Sequence, residues 1–154
     1  MKNGLQKDKA DIDALVIAFF NAFTEKGEPV SLDVIRQICI PQVLIVRNCG
    51  ETHEVFDLES FIEPRERMFA DGVLKDFSEE ELAEKTEIFG NVAQRFSLYQ
   101  KKGMMAGSYT EIRGMKTLQF IRTPDGWRIC AMAWDDERDG LSIPETWLAE
   151  SKPS

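Results

Sequence analysis

Apolar residues along the chain change their period near Phe77, and that change predicts the architecture. Ile12, Leu15, Val16, Phe19, Phe20 and Phe23 fall at i, i+3, i+4, i+7, i+8 and i+11, the stripe of an amphipathic helix, and Gly27 is its stop. Ser31 is placed to cap a shorter helix carrying Leu32, Ile35 and Ile38, which Pro41 ends. The β-branched run Val43–Val46 reads as a short strand, with a second around Glu54–Phe56. Asp57 reads as the cap of a third helix burying Leu58, Phe61, Ile62, Met68 and Phe69. Pro64 is expected to break or kink that helix, or to start its second segment.

Beyond Phe77 the pattern is strand-like. Leu82–Phe89 and Val92–Gln100 flank Gly90-Asn91, a two-residue hairpin signal, and the resulting register faces Thr86 with Arg95 and Glu84 with Ser97. Lys101–Gly107 reads as a flexible connection, made unusually apolar by Met104 and Met105, which suit a lid or a partner contact. Met115–Thr123 and Trp127–Asp135 are joined by Pro124-Asp125-Gly126, a type I turn closed by a left-handed glycine. Helices followed by two hairpins make an α+β domain, helices on one face of a strongly bent, mostly antiparallel sheet. Strict alternation along the last hairpin puts Leu118, Phe120, Cys130, Met132 and Trp134 on one face. Ile121, Trp127, Ile129, Ala131 and Ala133 fall on the other, so both are apolar. Helices cover one face of such a sheet; a second copy of the chain is the simplest cover for the other.

With 154 residues and 43% apolar against 30% charged residues, the chain fits one soluble domain. A formal charge of −8 with no basic stripe argues against nucleic-acid backbones and anionic membranes as partners. No apolar run approaches the roughly 20 residues of a membrane span. The N-terminal MKNGLQKDKADIDAL has no apolar stretch of the secretory kind. Cys39, Cys49 and Cys130, odd in number and unpaired in pattern, suggest reduced thiols and a cytoplasmic location. His53 is the single histidine and lies in a polar segment, where solvation outweighs catalysis; a metal site and a bound cofactor are not expected. Phosphate loops, GxSxG elbows and dinucleotide fingerprints do not occur.

Four segments together, Phe89–Tyr99 (FGNVAQRFSLY), Arg113-Gly114-Met115, Gly126-Trp127-Arg128-Ile129 and Trp134-Asp135-Asp136-Glu137, resemble the nuclear transport factor 2-like superfamily, closest to its SnoaL-like branch. The resemblance covers roughly residues 8–140, leaving 141–154 as an apolar tail that docks in part. It implies a cone-shaped, cystatin-like α+β barrel with a pocket between sheet and first helix, and dimers joined through the sheet. Members include isomerases, dehydratases, cyclases and non-catalytic association domains, so fold does not decide function.

Within that frame the candidate chemistry is a carboxylate base beside apolar walls with a neutral donor for the oxyanion. Asp135 is the candidate base and Tyr99 the candidate donor, against the alternative of a solvated acidic strand end at Asp135–Asp139. Phe19, Phe23 and Trp134 are candidate pocket walls, with Arg95 and Gln119 as polar lining; Arg95 could instead pair with Glu84 across the hairpin. The first helix carries no tyrosine where the ketosteroid isomerases place their donor. Two functions stay open: a small-organic-molecule binder with or without cofactor-free isomerase, lyase or cyclase activity, and an association module.

Overall fold

The apolar stripe of the first helix is its buried face. In the computed structural model, which describes residues 2–149, α1 runs Lys2–Ala22 and seats Ile12, Val16, Phe19 and Phe20, with Phe23 just beyond, in the main core. Polar side chains tie it down along its length. The buried Asp8 carboxylate accepts from Trp127 Nε1 at 3.1 Å and from Arg122 at 2.7 Å, and Thr24 Oγ1 accepts from the Glu79 amide at 3.2 Å.

Helix α2 (Asp33–Ile38) leads into β1 (Cys39–Arg47), followed by β2 (Glu54–Phe56). Helix α3 (Leu58–Ala70) opens on a capping box between Asp57 and Ser60. Pro64 lies inside it without dividing it, although a helix interior is a costly place for proline. Phe61 and Ile62 bury one side, and that packing holds the segment together.

The long strands exceed the sequence expectation. β3 (Leu74–Phe89), β4 (Val92–Met105), β5 (Ser108–Thr123) and β6 (Gly126–Asp136) complete a six-stranded sheet in the order β2-β1-β6-β5-β4-β3. Among the described residues every ladder is antiparallel except β1 with β6. Glu84 faces Ser97 and Thr86 faces Arg95, as the Gly90-Asn91 turn requires. The expected connection at 101–107 is instead strand as far as Met105 and then a tight turn. Ala106 and Gly107 both have positive φ, 51° and 87°, and join Met105 to Ser108. Met105 packs on the main core, so it is not a free lid.

Two bulges decide which side chains point inward. Gln119 pairs with Ala131 but Phe120 pairs with Ile129, leaving Cys130 as the extra residue. Trp127 and Ile129 thereby join Met132 and Trp134 in the core, while Cys130 lines an outer groove with Gln119 and Ile121. This corrects the strict alternation, which put Cys130 inside and Trp127 outside. The second bulge, between Glu81 and Ala83, keeps both Glu81 and Glu84 on the inner face beside Arg95.

The outer face is also less open than two apolar faces imply, because the chain's own C-terminal segment covers part of it. Ile143, just before the short α4 (Glu145–Leu148), and Trp147, within it, pack on Leu82, Ala83 and Leu98. Trp147 stacks edge-on against Phe96, and Glu137 accepts from the Ile143 amide at 2.8 Å. Residues 150–154 of the expected tail lie outside the described residues. No helix among the described residues is long and apolar enough to cross a membrane.

Candidate active site

Under the open end of the curled sheet a cavity of about 80 Å³ is lined by Phe19, Phe23, Arg47, Phe61, Arg65, Glu79, Tyr99, Lys101, Lys116 and Trp134. Five of these also line, or continue into, a wider outer cleft of about 460 Å³ walled by Phe56, Met68, Phe77 and Met105. The shared residues are Phe23, Arg47, Arg65, Glu79 and Lys101, so the inner chamber and the cleft meet at a charged neck.

Lys116 is the innermost cation. It sits on β5 directly opposite Trp134 of β6, on the inward parity of Leu118 and Phe120. Only 5% of the residue is exposed, and its ammonium has neither a hydrogen bond nor an ion pair among the described residues. Aromatic faces surround it instead: Nζ lies 4.2 Å from the Phe19 ring centroid, 4.8 Å from Trp134, 5.2 Å from Phe20 and 5.4 Å from Tyr99. Burial pushes its pKa down to about 8, against the partial support of Glu79.

Glu79 supplies the facing carboxylate. Its backbone is held by Thr24, two residues beyond the end of α1, and the strand register places it opposite Lys101. Desolvation raises its pKa, and the nearby Lys116, Lys101 and Arg65 offset only part of the rise. No hydrogen bond to its carboxylate is made among the described residues.

Arg65 closes the neck from α3, one turn beyond Phe61. Its guanidinium stacks 4.1 Å from the Phe61 centroid and 5.1 Å from Phe56, and donates to the Phe61 carbonyl at 3.1 Å. No carboxylate lies within ion-pair distance of it among the described residues, and burial lowers its pKa to about 10. The other two cations are already matched: Arg47 pairs with Glu54 at 3.0 Å and Lys101 with Asp136 at 3.2 Å. The buried Lys116 and the half-buried Arg65 therefore share the single chamber carboxylate of Glu79. The chamber holds surplus positive charge inside a protein of net charge −8.

Phe19, Phe23, Trp134 and Tyr99, named from the sequence, stand together around this chamber. The Tyr99 hydroxyl nevertheless donates to Asp136 at 2.5 Å, so its one proton is engaged outside the chamber. Burial and the Asp136 charge push its pKa well above the ordinary phenol range. Gly114 makes this possible: a Cβ there would sit 2.2 Å from the Tyr99 hydroxyl oxygen.

Three sequence candidates lie elsewhere. Asp135 is half-exposed at the strand end and pairs with Arg138, three residues on, so it does not reach the chamber. Gln119 is exposed on the outer face because its strand parity is opposite to that of Lys116 and Leu118. Arg95 faces inward but nearer the N-terminal part of α1, where it donates to Glu81 through Nε and Nη2 and to Asp13 at 2.7 Å. Ser97 donates to the same Glu81 at 2.6 Å. This is the structural reading of Arg95, with Glu81 as chief partner and Glu84 at 3.7 Å. His53 is solvent-exposed between β1 and β2. Among the described residues no group of three or more His, Cys, Asp or Glu side chains is placed to hold a metal ion.

Lys116, Glu79 and Arg65 were not singled out from the sequence, yet each carries a local signal. Lys116 falls in step with Leu118 and Phe120, Glu79 with Phe77, and Arg65 four residues after Phe61 on the apolar side of its helix. A charge on the buried parity is the clue.

A mostly antiparallel sheet curled over a long first helix, with helices on its inner face, is the architecture of the nuclear transport factor 2-like, cystatin-like proteins. The chain has the nuclear transport factor 2-like, cystatin-like fold. A protein of that class from Novosphingobium aromaticivorans superposes with a TM-score of 0.66 at 14% identity, over 96% of this chain and 91% of the other. A candidate ketosteroid isomerase from Shewanella frigidimarina gives 0.51 at 25% identity, over 68% and 81%. A candidate calcium/calmodulin-dependent kinase II association domain from Exiguobacterium sibiricum gives 0.61 at 11% identity, over 90% and 95%. No protein-family model and no curated protein matches the chain.

Proposed function

We propose that the protein binds a small organic anion in the Lys116 chamber and moves a proton on it without a cofactor, as isomerases and lyases do. The carrying observation is the charge imbalance: the buried Lys116 and the half-buried Arg65 have only Glu79 between them. Buried charge without a partner is costly, so a bound carboxylate or enolate at this place is strongly favoured. Glu79, whose proton affinity is raised by desolvation, is the one carboxylate lining the chamber that can take and return a proton. Arg65 and Lys116 hold the negative charge that develops when a proton leaves a carbon next to a carbonyl. The candidate isomerase among the structural neighbours agrees with this reading.

Pyruvate is a suitable probe. Its binding is expected to shift the Trp134 indole resonance, and its methyl protons are expected to exchange with deuterium oxide faster than in buffer. Arg65→Met should weaken binding roughly 10- to 100-fold, the worth of a charged hydrogen bond. Glu79→Gln should stop the exchange while binding persists. If pyruvate at saturating buffer concentrations leaves Trp134 unshifted and its methyl protons unexchanged, the proposal fails.

A second reading, association through the sheet, is favoured by exposed Phe89 and Val92 on the outer face, with Phe96 still 43% exposed beside Trp147. It agrees with the candidate association domain among the neighbours. A homodimer through this face predicts a two-chain mass in light scattering, and loss of that mass in Gln119→Arg or Ala131→Arg. A single-chain mass at high micromolar concentration would exclude it.

A further inference from the structure

We propose that Lys116 is a covalent group, which captures the carbonyl carbon of a short 2-oxo acid as an imine while Arg65 holds the substrate carboxylate. The inference rests on the small-anion reading above and narrows it to one substrate class and one bond.

The amine must be reachable, unpaired and able to lose its proton, and the geometry meets each requirement. Lys116 lines the chamber, with no hydrogen bond or ion pair holding its lone pair or its protons among the described residues. A lysine kept for structure would ordinarily be matched by a carboxylate, as Lys101 is by Asp136. The apolar walls of Phe19, Phe20 and Trp134, together with the Arg65 cation, are the surroundings that turn a lysine into a nucleophile. With its pKa near 8, roughly a tenth of the Lys116 amine is neutral at pH 7, against roughly one part in 3,000 for a lysine at 10.5.

The size and polarity of the site choose the substrate. The inner chamber of about 80 Å³ holds what two or three waters would occupy, taking about 30 Å³ each. That suits a two- or three-carbon oxo acid, and the adjoining cleft gives room for a longer tail on the same headgroup. An aldehyde or ketone alone would leave Arg65 unmatched. A simple carboxylate would leave Lys116 unused. A carbonyl next to a carboxylate satisfies both.

The step balances without an oxidant or reductant. The neutral Lys116 nitrogen forms a bond to the carbonyl carbon, the π electrons move to the oxygen, and that oxygen takes a proton from the Glu79 carboxyl. The nitrogen then returns one proton to Glu79. The carbon–oxygen bond breaks as Glu79 protonates the leaving hydroxyl, and water departs. What remains is a protonated imine on Lys116 and a Glu79 carboxylate. The imine withdraws electrons from the neighbouring carbon, which makes its proton acidic and gives Glu79 a proton to move.

The test is reductive trapping of the full chain with glyoxylate or pyruvate and cyanoborohydride at pH 7, read by intact mass and peptide mapping. One adduct per chain is expected, at Lys116, at least tenfold above that at exposed Lys7, Lys26 or Lys75. Lys116→Met should remove this adduct and leave the surface background. Arg65→Met should reduce trapping of pyruvate at least tenfold yet leave trapping of acetaldehyde, which has no carboxylate, within about twofold. Equal labelling of all lysines overturns the imine. So does an unlabelled Lys116 in a protein that binds pyruvate and exchanges its methyl protons, in which case the small-anion reading stands alone. Absence of binding, exchange and trapping together removes both.

Discussion

Lys116→Met is expected to make the unliganded protein more stable at pH 7, by about 1–2 kcal/mol, although it deletes the central cation of the chamber. Burial lowers the Lys116 pKa from 10.5 to about 8 in the folded chain. The folded state therefore sheds a proton that the unfolded state keeps between those values. Where the unfolded state binds more protons, stability rises with pH, so the native protein gains stability from about pH 8 to pH 10.5. Below pH 8 the charged amine carries the whole difference, on the order of 3 kcal/mol. Methionine fills similar volume without charge. The expected gain is smaller than the full difference, because the aromatic faces lose a cation and Glu79 loses its nearest positive charge. Glu79 has the opposite sign: its raised pKa favours the folded state most at low pH, and that contribution fades as pH rises above 4.5. Urea denaturation at pH 7 and at pH 10 checks the account: the advantage of Lys116→Met should shrink at the higher pH. A variant less stable than the native chain by 1 kcal/mol or more at pH 7 would show that the ammonium is a structural brace.

Arg95→Met is expected to do the reverse, costing about 3–5 kcal/mol while leaving the affinity of the surviving folded protein for pyruvate within about twofold. The Arg95 side chain is 3% exposed and binds Glu81 and Asp13, and Ser97 adds its hydroxyl to the same Glu81. Removing the guanidinium strands a mostly buried carboxylate, which is the expensive way to break a buried pair. Asp13 keeps Lys9 at 2.8 Å, so the penalty falls mainly on Glu81. Adding Glu81→Gln to Arg95→Met should recover part of the loss, and Arg95→Lys should cost less than Arg95→Met because the charge remains. Selective loss of pyruvate binding with unchanged denaturation would return Arg95 to the ligand site.

The contrast between these residues shows how a site can be read from strand sequence and where that fails. Both are basic residues on the inner face, flanked by strand-forming neighbours. Arg95 was legible as a polar group on a buried strand, and its cross-strand partners follow from the Gly90-Asn91 turn. Its chief partner is less accessible, because the bulge between Glu81 and Ala83 brings Glu81 round to it. Lys116 was equally legible by parity with Leu118 and Phe120, whereas Gln119, the polar residue that the sequence offers on this strand, has the opposite parity and faces outward. Asp135 reads as a base only while the strand end is imagined inside the cone. In the fold it turns to Arg138 and water.

What the sequence by itself determined is local in origin. The 3.6-residue stripe from Ile12 to Phe23, the Asp57 cap, the Gly90-Asn91 hairpin and the α+β order each depend on neighbours within a few residues or on a single turn. The aromatic walls Phe19, Phe23 and Trp134 belong here too, since large apolar side chains are driven inward wherever the fold closes. Tertiary structure decided the rest. One inserted residue at Cys130 reverses strand parity and brings Trp127 and Ile129 inside, an event that periodicity cannot register. The charged chamber draws Arg65 from α3, Glu79 from β3 and Lys116 from β5, residues far apart in the chain whose charges meet only when the sheet curls over α1. Their altered proton affinities follow from that meeting, because desolvation and unmatched charge are properties of an enclosed space and not of any segment.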